Sequence, residues 1–179
     1  MNLPNSLTVA RLIIIPVFLL VASMNYRYAG YIAAGIFVIA SITDGFDGYL
    51  ARKKNQITLL GQFLDPVADK ILVTAALFIL VEIGRMPGWI AIIIVSREIA
   101  VTCLRSVAMA QGIVIASSRL GKIKTVTQIV AIVALLLDNF PFSLINFPFV
   151  YIALTVATIV TIWSGFDYFW AYRFLSKSK

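Results

Sequence analysis

The sequence has no histidine and a single cysteine, Cys103, among 179 residues. One cysteine cannot close an intrachain disulfide, and it reads as a small apolar residue within a helix. With no imidazole and no thiolate cluster, zinc or copper is disfavoured as a bound metal. Charge is equally scarce at 13%, against 61% hydrophobic residues and a mean hydropathy of +0.96. Soluble domains carry about a quarter charged residues, so these values exclude a disordered chain and argue strongly against a soluble globular one. The chain reads as a membrane protein. Linkers, low-complexity tracts and fixed-period repeats are also missing, which leaves one domain over residues 1–179. Acidic groups are few, 8 against 15 Lys and Arg, for a net charge of +7. In a soluble protein that surplus would suggest nucleic acid. Here it suggests loops that face an anionic leaflet, and no nucleic-acid partner is expected.

What is abundant is long apolar sequence. Six stretches stand out, at about 6 to 24, 29 to 50, 58 to 81, 87 to 111, 120 to 138 and 145 to 172. Each is long enough to cross a hydrocarbon core about 30 Å thick, and the separators are short and polar or turn-like. The expected fold is therefore all-α, a polytopic protein of six transmembrane helices. Leu12 to Leu20 followed by Ala22-Ser23 has the look of a signal peptide. However, only Arg11 is basic ahead of it, and Pro4-Asn5 reads instead as a helix start with Asn5 as its cap. With the N-terminus in the cytoplasm, the inner connections and the tail hold Arg52, Lys53, Lys54, Arg119, Lys122, Lys124, Arg173, Lys177 and Lys179. The outer connections hold only Arg27 and Arg85, so both termini are expected in the cytoplasm.

Half of the acidic residues, Asp44, Asp47, Asp65 and Asp69, bracket the connection between the second and third stretches. A carboxylate near a span centre costs about 2.5–3.5 kcal/mol on insertion scales, and four of them together also repel one another. Positive charge must compensate. Spacings of three and four put each pair on one helix face, so two adjacent antiparallel helices can aim all four into one pocket. Oxygen-only ligands favour Mg, Mn or Ca, and a two-metal carboxylate site clamping a diphosphate is one reading. The other is an ion network with Arg52, Lys53, Lys54 and Lys70, or simple solvation near a span end. Pro66 would clash with the carbonyl of Gln62 in a straight helix. A third helix that starts near Thr58 and is distorted at Pro66 is expected over one that begins there, because it keeps Gly61, Asp65 and Asp69 on a single stripe.

In full, the segment reads Asp44-x-x-Asp47-Gly48-x-x-Ala51-Arg52, eight residues, then Gly61-x-x-x-Asp65-x-x-x-Asp69. It resembles the signature of the CDP-alcohol phosphotransferase family at all eight fixed positions. That resemblance implies a six-helix membrane enzyme that moves a phosphatidyl group from a CDP-linked lipid to an alcohol and releases CMP. Carried over by position, Asp44, Asp47 and Asp65 would be metal ligands, and Asp69 a ligand, the general base, or both. Divalent cations, Mg or Mn, would number two per site. Gly48, Ala51, Arg52 and Gly61 would shape the nucleotide site. The polar stripe of Asn5, Thr8 and Arg11 on the first helix either closes that site or caps and snorkels to lipid.

Two basic groups remain to explain. Arg97, Glu98, Thr102 and Arg105 lie within the fourth stretch, where charges usually face a cavity or each other. Ser117, Ser118, Arg119, Lys122, Lys124, Thr125 and Gln128 open the fifth. Positive-inside charge accounts for part of this cluster, and a phosphate pocket formed by Arg105, Arg119, Lys122 and Lys124 accounts for the rest. Asn2-Leu3-Pro4-Asn5 through Arg11, Arg97-Glu98, Leu104-Arg105 and Gly121-Lys122-x-Lys124-Thr125 resemble the bacterial family members whose acceptor is sn-glycerol 3-phosphate. Gly45 departs mildly, standing where a bulkier residue is usual. The resemblance implies CDP-diacylglycerol and glycerol 3-phosphate as substrates, with phosphatidylglycerophosphate and CMP as products. It further implies membrane lipids as surroundings, a homodimer, and a bacterial cytoplasmic membrane with the active site facing inward. Alternatives are transfer to serine, inositol phosphate or phosphatidylglycerol, which for a neutral acceptor leaves the cations without a purpose, or a small cation transporter, which has no use for the Gly48–Gly61 register.

Overall fold

A computed structural model of the chain describes the backbone of residues 3–54, 59–111 and 118–177, and the side chains of residues 12–43, 70–111 and 118–173. The described residues form α1 (Leu3–Ser23), α2 (Ala29–Lys54), α3 (Leu59–Glu82), α4 (Gly88–Ala110), α5 (Arg119–Leu136) and α6 (Phe149–Lys177), with one 3-10 turn at Phe142–Ile145 and no strand. The all-helical expectation therefore holds, one helix over each apolar stretch. α1 begins at Leu3, so Asn5 lies inside the helix and not at its cap. Pro4 occupies the first turn, where its missing N–H has no helical partner to lose.

The turns explain where the helices stop. After α3 the chain reverses through Gly84 at φ 71°, with the Arg85 amide donating to Leu80 O at 2.9 Å. α5 ends at Leu136 and α6 starts only at Phe149, a wider break than the sequence suggested. Asp138 and Asn139 have positive φ, which neither helix accommodates, and Asn139 holds the loop by donating to Phe147 O and accepting from the Val150 amide.

The connections after α1, α3 and α5 gather around one cavity, lined among others by Tyr26, Arg85 and Asp138, so successive helices alternate in direction. At the centre, Phe18 of α1 meets Phe37 of α2 with ring centroids 5.9 Å apart, both fully buried. Ala33, Ala34, Phe37 and Ala40 repeat at helical spacing on α2 and meet Leu77 and Leu80 of α3 and Ile132 and Leu136 of α5 in the same core. The outside is as apolar as the inside: Leu20, Ile39, Ile92, Trp163, Phe166 and Trp170 are all well exposed. Buried contacts include polar ones, with Gln128 Nε2 donating to Thr161 Oγ1 at 2.9 Å. An apolar exterior around small residues and internal hydrogen bonds is the arrangement a bilayer selects. Among the described residues, Phe149–Arg173 is long and apolar enough to cross a membrane, and Leu12–Ser23 and Ala29–Thr43 are shorter apolar segments.

Backbones approach closely at Gly30, where a Cβ would lie 2.3 Å from Leu136 O, whereas one at Gly35, also on α2, would meet nothing within 4 Å. Gly30→Ala should destabilise the protein by about 1–3 kcal/mol, because backbone must shift. Gly35→Ala should leave stability unchanged or slightly raised. Thermal unfolding of the two variants in one detergent checks the contrast; equal midpoints would show that α2 and α5 do not approach at Gly30.

Candidate active site

The signature residues fall on the ends, adjoining in sequence, of two consecutive helices. Asp44, Asp47, Gly48, Ala51 and Arg52 belong to the C-terminal part of α2, and Gly61, Asp65 and Asp69 to the N-terminal part of α3. α3 runs through Pro66 as one helix, so Gly61, Asp65 and Asp69 share one helical register. The side chains of all eight, like those of Asn5, Thr8 and Arg11, lie outside the described residues. Among the described residues no three His, Cys, Asp or Glu side chains converge as a metal site. The donor set is therefore what bears on metal. Four carboxylates on the adjoining parts of α2 and α3, in a chain with no histidine, favour a hard divalent cation over a softer one.

Directly after Asp69 the described side chains resume with Lys70, whose Nζ donates to Thr102 Oγ1 on α4 at 2.5 Å. Thr102 in turn donates to Glu98 O one turn earlier, at 2.7 Å. Glu98 is the hub of this end of the bundle. Its Oε1 accepts from Lys124 Nζ of α5 at 2.5 Å and from Arg97 Nη1 at 3.0 Å. Arg97 then reaches α6: Nη2 donates to Ser164 Oγ at 2.5 Å, and its Cζ lies 5.5 Å from the centroid of the Tyr168 ring. Gly165 makes that path possible, since a Cβ there would sit 3.2 Å from Arg97 Cγ. Arg97 Nε is buried without a hydrogen-bond partner among the described residues. The Tyr168 hydroxyl accepts from the Ser118 amide at 3.3 Å, and Ser118 Oγ caps α5 through the Gly121 amide at 3.1 Å. One network thus sets the start of α5, and with it the heights of Lys122 and Lys124.

These groups surround a cavity of about 250 Å³ whose walls include Lys70, Arg97, Arg105, Lys122, Lys124 and Tyr168. A smaller one of about 130 Å³ shares Lys70, Glu98, Lys124 and Thr125 with it and extends to Ser41 on α2. Of the four cations read from the sequence as phosphate ligands, Arg105, Lys122 and Lys124 line the larger cavity and Arg119 does not. Arg119 is the exposed first residue of α5. Lys70, Ser164 and Tyr168 were not read as part of this group. The last two carried a legible signal, because Thr161, Ser164 and Tyr168 form a polar stripe at helical spacing on an otherwise apolar α6. Volume alone points elsewhere: the cavity at the opposite end, about 620 Å³, holds Arg27 and Arg85. There Arg85 is spent on capping α5, donating to Leu135 O and Leu136 O at 3.0 and 2.8 Å.

A multi-cation cavity that includes Lys70, next in sequence to the last aspartate of the signature, suits phosphoryl transfer, and residues 1–163 match the CDP-alcohol phosphatidyltransferase family. The chain belongs to the CDP-alcohol phosphatidyltransferase family. It is 48% identical over 180 residues to the CDP-diacylglycerol–glycerol-3-phosphate 3-phosphatidyltransferase of Bacillus subtilis (strain 168), covering 94% of this chain and 93% of that one. The protein of the same name from Rickettsia felis is 39% identical over 169 residues, with 94% and 93% covered. A probable phosphatidylglycerophosphate synthase of Mycobacterium tuberculosis is 39% identical over 170 residues, covering 93% of this chain and 79% of that one. In this CDP-alcohol phosphatidyltransferase the described side chains include the cations of that cavity and leave out those of the aspartate signature.

Arg97 is 11% exposed and Arg119 lies on the surface outside the cavity. Arg97→Ala should cost roughly 3 kcal/mol, since it strips one partner from a shielded ion pair. Arg119→Ala should stay within about 0.5 kcal/mol of the parent. Unfolding midpoints in detergent check both values, and similar losses would show that the network does not hold α4 to α6.

Proposed function

We propose that this protein is a six-span enzyme of the bacterial cytoplasmic membrane, with both termini and the active site on the cytoplasmic side. It transfers the phosphatidyl group of CDP-diacylglycerol to sn-glycerol 3-phosphate, giving phosphatidylglycerophosphate and CMP. The observation that carries this reading is the aspartate signature on the joined ends of α2 and α3, set next to a cavity lined by Arg105, Lys122 and Lys124. The names of the relatives support it independently, and the nine-to-two bias of basic residues supports the orientation. The family resemblance also supports a homodimer.

Asp44, Asp47 and Asp65, with Asp69, would hold two divalent cations, Mg or Mn. When bound, these neutralise the diphosphate and the departing CMP. Asn5, Thr8, Gly48, Ala51, Arg52 and Gly61 would form the nucleotide side of the site. Arg105, Lys122 and Lys124 would grip the acceptor's phosphate and so present its free hydroxyl to the diphosphate. Asp69 takes the hydroxyl proton as the oxygen attacks the phosphorus that bears the diacylglycerol. The new P–O bond forms as the diphosphate P–O bond breaks, and CMP leaves with that electron pair. No ATP is needed, because the diphosphate already carries the activation. An apolar groove of about 590 Å³ starts at Lys70 and Thr102 and follows α3 to Glu82, which suits a reaction whose lipid tails stay in the bilayer. A serine or other neutral acceptor would give the cationic cavity nothing to bind.

Purified protein supplied with CDP-diacylglycerol and a panel of acceptors should release CMP with glycerol 3-phosphate, and release with serine alone would refute the acceptor. Chelation should stop turnover, and added Mg or Mn should restore it. Asp69→Asn should lower turnover by at least about 100-fold while CDP-diacylglycerol still binds. Arg105→Ala and Lys124→Ala should each raise KM for glycerol 3-phosphate by about 10-fold or more, with smaller effects on the KM for the nucleotide lipid. Unchanged acceptor dependence would remove these two residues from the phosphate site.

A further inference from the structure

A site for an anion should not contain a carboxylate, yet Glu98 lines both joined cavities. Its Oε1 is where Lys124 Nζ and Arg97 Nη1 meet, at 2.5 and 3.0 Å. The two cations depend on it unequally. Arg97 keeps Ser164 Oγ and the Tyr168 ring without Glu98. Lys124, 8% exposed, has Glu98 as its only charged or hydrogen-bonded side-chain partner among the described residues. An incoming phosphate therefore meets a Lys124 whose charge Glu98 already answers, and must share the ammonium with that carboxylate or displace it.

The acceptor's phosphate takes no part in bond making, since its hydroxyl attacks and the phosphate leaves unchanged on the product. Affinity for that group is thus the same before and after reaction. Strengthening it lowers KM without lowering the barrier, and slows product departure. Lys70, Arg97, Arg105, Lys122 and Lys124 together would hold a dianion strongly.

We propose that Glu98 is a built-in counter-anion of the acceptor site: it occupies Lys124 while the site is empty, so that phosphate binding is an exchange of one anion for another and the product's phosphate is released readily. Glu98 is a positioning and specificity-determining residue, acting through Lys124 and Arg97. The inference rests on reading this cavity as the acceptor-phosphate site.

The test uses the full-length protein in detergent, with inorganic phosphate as the probe and glycerol 3-phosphate as the varied substrate. In the wild type, phosphate should inhibit competitively against glycerol 3-phosphate. In Glu98→Gln, the inhibition constant for phosphate and KM for glycerol 3-phosphate should both fall by about 10-fold, and kcat should fall with them. Glu98→Asp, which keeps the charge, should return the phosphate inhibition constant toward the wild-type value. A structural role alone would lower kcat with KM unchanged or raised. If wild-type phosphate does not compete with the acceptor, the site reading itself is wrong. If it competes but Glu98→Gln leaves the inhibition constant unchanged or higher, the site reading stands and the counter-anion is refuted. Glu98→Ala is assayed in parallel, since it removes the same charge with different packing. Failure of both charge-removing variants to fold would make Glu98 a structural ion and also overturn the proposal.

Discussion

The contact on which the rest of the polar end depends is the one oxygen of Glu98 shared by Lys124 and Arg97. Three groups from two helices meet there, and Arg97 carries the link to a third through Ser164 and Tyr168. Removing charges from water is costly, and the group is held because the carboxylate and the two cations compensate one another within hydrogen-bond reach. Because Tyr168 also holds the Ser118 amide, the same network positions the start of α5. Lys122 and Lys124 are then carried to the cavity wall by helix geometry, with no loop needed to place them.

Away from this end, the molecule has little else to order it but packing. With hydrocarbon outside, burying a leucine gains little, so small residues and close helix approach take over the role that a hydrophobic core plays in water. Ala33, Ala34 and Ala40 on α2, Gly30 against Leu136 O, and the Gln128–Thr161 hydrogen bond are the visible devices. The result is a helical frame with an apolar exterior, on which a few charges are held at one end. Sites built on helices are more precisely placed than sites on loops, and every cation of the cavity stands on a helix.

On the proposed reading, the aspartate ends of α2 and α3 and the cations of α3, α4 and α5 would divide the work by charge sign. Carboxylates would collect divalent cations for the diphosphate, while Arg and Lys would receive the acceptor's phosphate directly. Lys70 stands between the two halves, next in sequence to Asp69 and part of the cationic cavity. A net charge of +7 conceals this separation, because it sums basic residues in the connections, basic residues around the cavity and the aspartates of the signature.

By itself, the sequence determined the all-helical architecture, the number of helices, and the chemistry class. Long apolar stretches and a fixed aspartate spacing are local patterns, and local patterns survive without knowledge of packing. It also placed Gly61, Asp65 and Asp69 on one helix through Pro66. Only the tertiary structure decided which basic residues share a cavity: Lys70 joined it, Arg119 did not, and Ser164 and Tyr168 arrived from α6 to brace Arg97. The physical reason is that both faces of these helices are apolar, so periodicity cannot tell the face toward lipid from the face toward a neighbouring helix. The α5–α6 break is a similar case, since positive φ at Asp138 and Asn139 follows from how the loop closes and is not written in the hydropathy. Which charge answers which depended on helices far apart in sequence coming together.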